Sequence, residues 1–228
     1  MALAWLVVFL FSTTLHEASH AFLALRLGDP TAYRGGQVSL NPLPHVRREP
    51  VGMLLIPLLS FFIGGWMIGW ASAPYDPSWA HRHPKRAAIM ALGGPAANLL
   101  LVIAAGGLIR VGLVAGMFTP PDMLSRAHLV AAAGGMGGVE GVGTVLSILF
   151  SLNLLLFTFN LLPLPPMDGS AAIQLLMSDD AARALQKMLS QPMIGWMGIL
   201  IAWQVFPNFF GLIDQVSISL LYPDVTYR

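Results

Sequence analysis

The sequence predicts an all-α polytopic membrane protein, a helical bundle with one re-entrant segment and short strand or hairpin elements near a polar cluster. Three observations carry that expectation. Of 228 residues, 56% are hydrophobic and 10% are charged, against about 25% charge in an ordinary soluble domain. Apolar stretches of spanning length recur along the chain, joined by short polar connections. One of them, Val51 to Trp70, is interrupted by Pro57 and Gly64-Gly65, which break a helix where a plain span would keep it whole. The length suits a single membrane-embedded domain over residues 1–228, with about four to six spans.

Ala2 to Leu25 makes a first helix about 36 Å long, enough to cross the hydrocarbon. It lacks the basic opening of a signal peptide and reads as a retained span. Gly28-Asp29-Pro30 stops it. Tyr33 to His45 carries glycines, alternation and turn formers, which predict a strand or hairpin ending in a turn. After Val51–Trp70 comes a polar loop, Ala71 to Arg86, whose His81, Arg82, His83, Lys85 and Arg86 read as a solvated or headgroup-facing patch. Ala87 to Ile109 is a second span, with Gly93-Gly94-Pro95-Ala96-Ala97-Asn98 near its start. Met117 to Gly143 is a glycine-rich connection. Thr144 to Leu164 is a third span and ends in the run Asn160 to Gly169, NLLPLPPMDG. Ser178 to Gln191 reads as an interfacial helix. Met193 to Tyr222 is either one span kinked at Pro207 or a span followed by a surface helix.

The chemistry concentrates in Phe11 to Arg26, FSTTLHEASHAFLALR. His16 and His20 are four apart, so a helix points both imidazoles at one ion. Glu17 stands one step round, within reach of a water beside that ion. This is the His-Glu-x-x-His pattern of zinc peptidases. Titratable groups inside a lipid-length helix cost roughly a few kcal/mol each on insertion scales, and their default meaning is function. The chain has no cysteine, so disulfides and thiolate metal sites are excluded and the donors must be histidine and carboxylate. The net charge of +1, without a basic run, gives no footprint for nucleic acid.

Catalytic zinc takes three protein ligands. The third does not follow His20, where the chain continues Ala21-Phe22-Leu23. Asp29, Glu49, Asp76, Asp122, Glu140, Asp179, Asp180 and Asp224 fall in loops, where solvation accounts for them. Asp168 and Asp214 remain. Asp214 reads as an interfacial polar residue. Asp168 follows Pro163, Pro165 and Pro166, which unwind a helix end, an arrangement tolerated at membrane depth only where it is buried or lines a watery cavity.

Together, HEASH at 16–20, GGPAAN at 93–98 and NLLPLPPMDG at 160–169 resemble the three motifs of the site-2 protease family of intramembrane zinc metalloproteases. GDPTA at 28–32 and SLNPLPH at 39–45 resemble a subgroup of small bacterial members, although Glu49-Pro50 stands where that subgroup tends to have Asp-Pro. The resemblance implies a metalloprotease domain that holds one Zn2+ ion with His16, His20 and Asp168. It implies Glu17 as the general base and Asn160 as a holder of substrate or oxyanion. It further implies a membrane-protein substrate cut in or near a transmembrane segment, as in regulated intramembrane proteolysis, in the lipid bilayer of a bacterial inner membrane. The PDZ and CBS modules of many relatives have no counterpart among these residues. Asn98 is either a partner that orients a ligand or a helix–helix contact, and His45 either such a partner or a loop residue. The rival readings are a catalytically silent relative that binds membrane proteins and a membrane transporter, which would show paired repeats and several mid-span charges.

The crossing count bears on topology. If Val51–Trp70 and Ala87–Ile109 both cross, the C-terminal ends of the first and third good spans lie on opposite faces. Asp168 could not then meet the histidines. A re-entrant Val51–Trp70, bent at Pro57 or at Gly64-Gly65, puts them on one face. It also gathers nine basic residues on that face (26, 34, 47, 48, 82, 85, 86, 183 and 187) and leaves three on the other (110, 126 and 228), which predicts a site nearer the cytoplasm. Glycine-rich backbone at Gly35 to Leu40, or at Gly69 to Ala73, is positioned to pair with an unwound substrate as an added strand.

Overall fold

The structure is a computed structural model that describes residues 1–135 and 137–223. Asp224 and Arg228 lie outside the described residues. Helix α1 (Ala2–Leu27) is unbroken, contains no proline, and ends where Gly28 turns left-handed. Two short helices follow, α2 (Thr31–Arg34) and α3 (Pro42–Arg48). The strand or hairpin expected over Tyr33 to His45 is therefore not there. Asn41 prevents it by capping α3, its Oδ1 accepting the Leu43 N–H at 3.0 Å. Pro42 and Pro44 favour a helical first turn, and Gly36, at φ 71, turns the chain between the two helices.

A π-helical turn (Val51–Leu55) leads into α4 (Ile56–Gly64). Gly65, at φ 74, reverses the chain, and residues 67–76 return without regular secondary structure. The Trp70 N–H donates to the Gly52 carbonyl at 3.2 Å, and Ser60 Oγ accepts from the Ile68 N–H at 3.0 Å. The two ends of this apolar stretch thus meet, and the segment folds back on itself. Its bend lies at Gly64-Gly65, while Pro57 sits in the first turn of α4, where its missing N–H is least disruptive.

Asp76 caps α5 (Pro77–Arg82), and α6 (Pro84–Ala91) runs through Leu92 into α7 (Gly93–Val114). The strands among the described residues, β1 (Phe118–Thr119) and β2 (Ala131–Ala132), pair antiparallel beyond the C-terminal end of α7. Helix α8 (Gly137–Asn160) returns along α7. The proline run leads to α9 (Asp168–Ala172) and a 3-10 turn (Ile173–Leu176). Ser178 caps α10 (Asp179–Leu189), a helix where the sequence predicted one. Helix α11 (Pro192–Leu221) is one continuous helix with Pro207 inside it.

Among the described residues, four helices are long and apolar enough to cross a membrane, namely Ala2–Leu27, Pro84–Val114, Gly138–Asn160 and Pro192–Leu221. Their outward faces are apolar and carry bulky residues such as Leu100, Trp203 and Leu212, each about two-thirds exposed (66–69%). Water would penalise such faces and lipid does not. This is an integral membrane protein. Between α7 and α8, Val102, Ala105 and Ile109 meet Phe150, Leu154 and Leu155, and Phe210 and Leu221 of α11 close the cluster. Trp5, Val8 and Phe9 of α1 pack with Ile148 and Leu152 of α8 around Met67, which seats the returning arm of the hairpin.

Candidate metal centre

The C-terminal half of α1 turns polar inside its packed face. His16, Glu17 and His20 are all buried, as are Ser12, Thr13 and Thr14. Helix spacing brings the two imidazoles together, with Nε2 of His16 and Nε2 of His20 3.0 Å apart. Asp168 comes from the other side. The proline run ends α8 and the chain turns, so that α9 starts at Asp168 with the carboxylate facing α1. Its Oδ2 lies 3.2 Å from His16 Nε2 and 3.3 Å from His20 Nε2. Asp214 stays within α11 and does not join this group.

The outer ring nitrogens are engaged. His20 Nδ1 donates to the Met90 carbonyl at 2.8 Å, and His16 Nδ1 donates to Asn98 Oδ1 at 2.5 Å. In neutral rings both Nε2 atoms are then bare lone pairs, facing each other and a carboxylate oxygen. That oxygen, Asp168 Oδ2, is buried and has no hydrogen-bond partner among the described residues. Three electron-rich atoms converging this way repel one another unless a cation sits between them. Tetrahedral zinc with nitrogen and oxygen ligands at about 2.0–2.1 Å sets those ligands about 3.3 Å apart, which matches the observed spacing. Gly94 of α7 lies against the pair, and a Cβ there would overlap both Nε2 atoms. Donor chemistry, spacing and the glycine cradle all fit a zinc ion.

A cavity of about 690 Å³ opens over the donors. Glu17 and Asn160 line it with His16, His20 and Asp168, and so do Pro165 and Pro166. Ala71, Ser72 and Ala73 of the returning hairpin arm form part of its wall, whereas Val38 to Leu40 line a separate apolar groove between α1 and α7. Of the two glycine-rich stretches, the one at Gly69–Ala73 therefore borders the site. His81 lines the cavity as well. His45 is buried in its own turn, where Nε2 donates to the Ser39 carbonyl at 3.0 Å, and it does not line the cavity.

The sequence profile of peptidase family M50 matches residues 4–202. The chain belongs to peptidase family M50. This is the site-2 protease family to which the three motifs pointed. The M50 chain is 32% identical over 169 residues to the Bacillus subtilis protein named "Putative zinc metalloprotease YwhC", a match covering 74% of this chain and 66% of that protein. It is 32% identical over 176 residues to "Putative zinc metalloprotease Rip2" of Mycolicibacterium smegmatis, covering 77% of this chain and 58% of that one. The Rip2 of Mycobacterium tuberculosis H37Rv is 29% identical over 209 residues, 92% of this chain and 69% of its own length. The match thus spans less than two thirds of the first two relatives. No solved structure matches the M50 chain.

The parts played by two residues could not be read from the sequence. Asn153, fully buried in α8, bonds to Asn98. Lys85, assigned to a solvated patch, is instead turned inward, and its Nζ donates to the carbonyls of Gln174 and Leu175, each at 2.9 Å, and to that of Met177. It ties α6, which carries Met90, to the turn that follows α9. No spacing rule announces a lysine whose partners are backbone carbonyls so far along the chain.

Proposed function

We propose that this M50 chain is an intramembrane zinc metalloprotease that cuts a peptide bond in or near a transmembrane segment of a membrane-protein substrate. The observation that carries this reading is that His16 Nε2 and His20 Nε2, on a helix of spanning length that also carries Glu17, meet Asp168 Oδ2 from α9 within 3.0–3.3 Å. His16, His20 and Asp168 are the residues to hold one zinc ion. When bound, zinc supplies a Lewis acid that polarises a peptide carbonyl and draws the pKa of a water down toward about 7.

The protein's own groups do the rest. Glu17 takes the proton of the attacking water as general base and returns it to the departing nitrogen as general acid. Asn160 donates one amide hydrogen to the Leu156 carbonyl at 3.0 Å and has a second to offer an oxyanion. An intact helix shields its peptide bonds, so substrate must unwind at the cavity. The backbone of Ala71–Ala73, which is in no strand and whose Ser72 carbonyl accepts from Arg48 Nε at 3.1 Å, borders the cavity where an unwound substrate would lie as an added strand. The nine basic residues that a re-entrant Val51–Trp70 assigns to the face of the donors favour a site opening toward the cytoplasm of a bacterial inner membrane.

The test is Glu17→Gln in liposomes with a tagged single-span substrate. The expected variant retains zinc, loses cleavage and traps substrate, and chelation of the parent abolishes cleavage while added zinc restores it. Undiminished cleavage by Glu17→Gln rejects Glu17 as the base. A parent that binds zinc and associates with membrane proteins without cutting them supports the silent-relative reading instead.

A further inference from the structure

Which end of an asparagine amide is oxygen is decided by its neighbours. Here the decision starts from a group that can only accept. In α8, Asn153 Nδ2 donates to the backbone carbonyl of Leu149, one turn back, at 2.8 Å. The same nitrogen donates to Ser12 Oγ of α1 at 2.8 Å, which uses both of its hydrogens. Asn153 Oδ1 is thereby placed on the other side, where it accepts from Asn98 Nδ2 at 2.7 Å. Asn98 must in turn direct its own oxygen toward His16 Nδ1. That oxygen accepts only, so the imidazole proton sits on Nδ1 and Nε2 keeps its lone pair. Ser12, Asn98 and Asn153 are each 0% exposed, and no bulk water competes to turn the amides round. His20 needs no such chain, because Met90 offers it a backbone carbonyl directly.

We infer that Asn153, backed by Ser12, is a positioning residue that sets the tautomer of His16 through Asn98 and so keeps that imidazole ready for a divalent cation. This deepens the zinc reading above and rests on it. The competing role for Asn153 is packing alone, a polar link among α1, α7 and α8 with no bearing on the ion.

Asn153→Leu removes the oxygen that orients Asn98. The Asn98 amide is then free to turn its NH2 toward His16, which drives the imidazole proton to Nε2 and blocks the donor. Purified in detergent, Asn153→Leu is expected to hold zinc about 10–100-fold more weakly against a chromophoric chelator, the usual effect of losing a partner behind a metal ligand. Adding Asn98→Asp presents an oxygen to His16 whichever way the side chain turns, and zinc retention returns to near the parent value. The visible spectrum of the cobalt-loaded protein follows the same course, altered in the single variant and recovered in the double. A packing defect is not repaired by Asn98→Asp. Should Asn153→Leu fail to fold, Asn153→Ser removes the amide without adding apolar bulk and carries the same expectations. Unchanged zinc retention in a folded variant, or a loss that Asn98→Asp leaves unrepaired, overturns the inference. A parent protein that holds no zinc overturns the reading beneath it instead.

Discussion

Gly198 of α11 packs directly on the carbonyl of Pro165, in the turn that delivers Asp168, and a Cβ at 198 would overlap that oxygen. Around this contact Leu162 and Met167 pack on Ala202. The outermost spanning helix therefore buttresses the loop that carries the third donor. Gly198→Ala is expected to push the turn away, because backbone cannot give as a flexible side chain does. Overpacking of this kind costs about 1–3 kcal/mol. A lower melting temperature in detergent together with weaker zinc retention is the expected result; a variant that melts lower but keeps its zinc would show the buttress to be structural only.

Lys85 holds the segment after α9 by three backbone carbonyls. Lys85→Met keeps the apolar stem and removes the charge. Hydrogen bonds to a charged group contribute about 1.5–3 kcal/mol, so a loss on the order of 2 kcal/mol is expected, with protease nicking between Ala172 and Ser178 as the local signature. Lys85→Arg, which keeps the donors, should recover part of the loss.

Asp29 gives a pH dependence. Burial would raise its pKa, yet the Thr31 hydroxyl, the Asp76 and Thr31 N–H groups and the Arg34 charge outweigh burial and hold it below the usual carboxylate value. A depressed folded pKa means the stabilisation is fully present above the unfolded value of about 3.9 and is lost as pH falls through the folded one. Zinc-free protein should therefore melt at falling temperatures as pH drops below about 4, and Asp29→Asn should flatten that part of the profile. Parallel profiles for parent and variant would contradict the assignment.

The hairpin is testable by labelling, since the chain has no cysteine of its own. Cysteines placed singly at Val51 and Ala71 should react with an impermeant maleimide from the same side of oriented vesicles. One at Gly116, beyond the far end of α7, should react from the opposite side. Labelling of positions 51 and 71 from opposite sides would mean that the segment crosses.

The sequence carried the site unevenly, for physical reasons. His16 and His20 were legible because helix geometry converts a four-residue spacing into proximity. The proline run alone reads as a helix stop and pointed to Asp168 only beside the His-Glu-x-x-His helix, and the fold-back of Val51–Trp70 followed from the need to bring Asp168 to the histidines' face. Tyr33 to His45 misled because glycines and alternation suit a strand, while the caps that decide otherwise depend on where Asn41 meets the Leu43 N–H. Asn153 was illegible. A lone asparagine in an apolar helix has no spacing relation to its partners, and its meaning arises only once α1, α7 and α8 pack together.

The two imidazoles and the carboxylate enter the molecule at very different moments of its synthesis. A ribosome delivers the histidine pair first, the amide that steadies His16 next, then Asn153, and the acidic donor at the head of α9 last. On the zinc reading proposed above, the full donor set exists only once α9 has been made, and a nascent chain interrupted before α9 would present the histidine pair without its carboxylate.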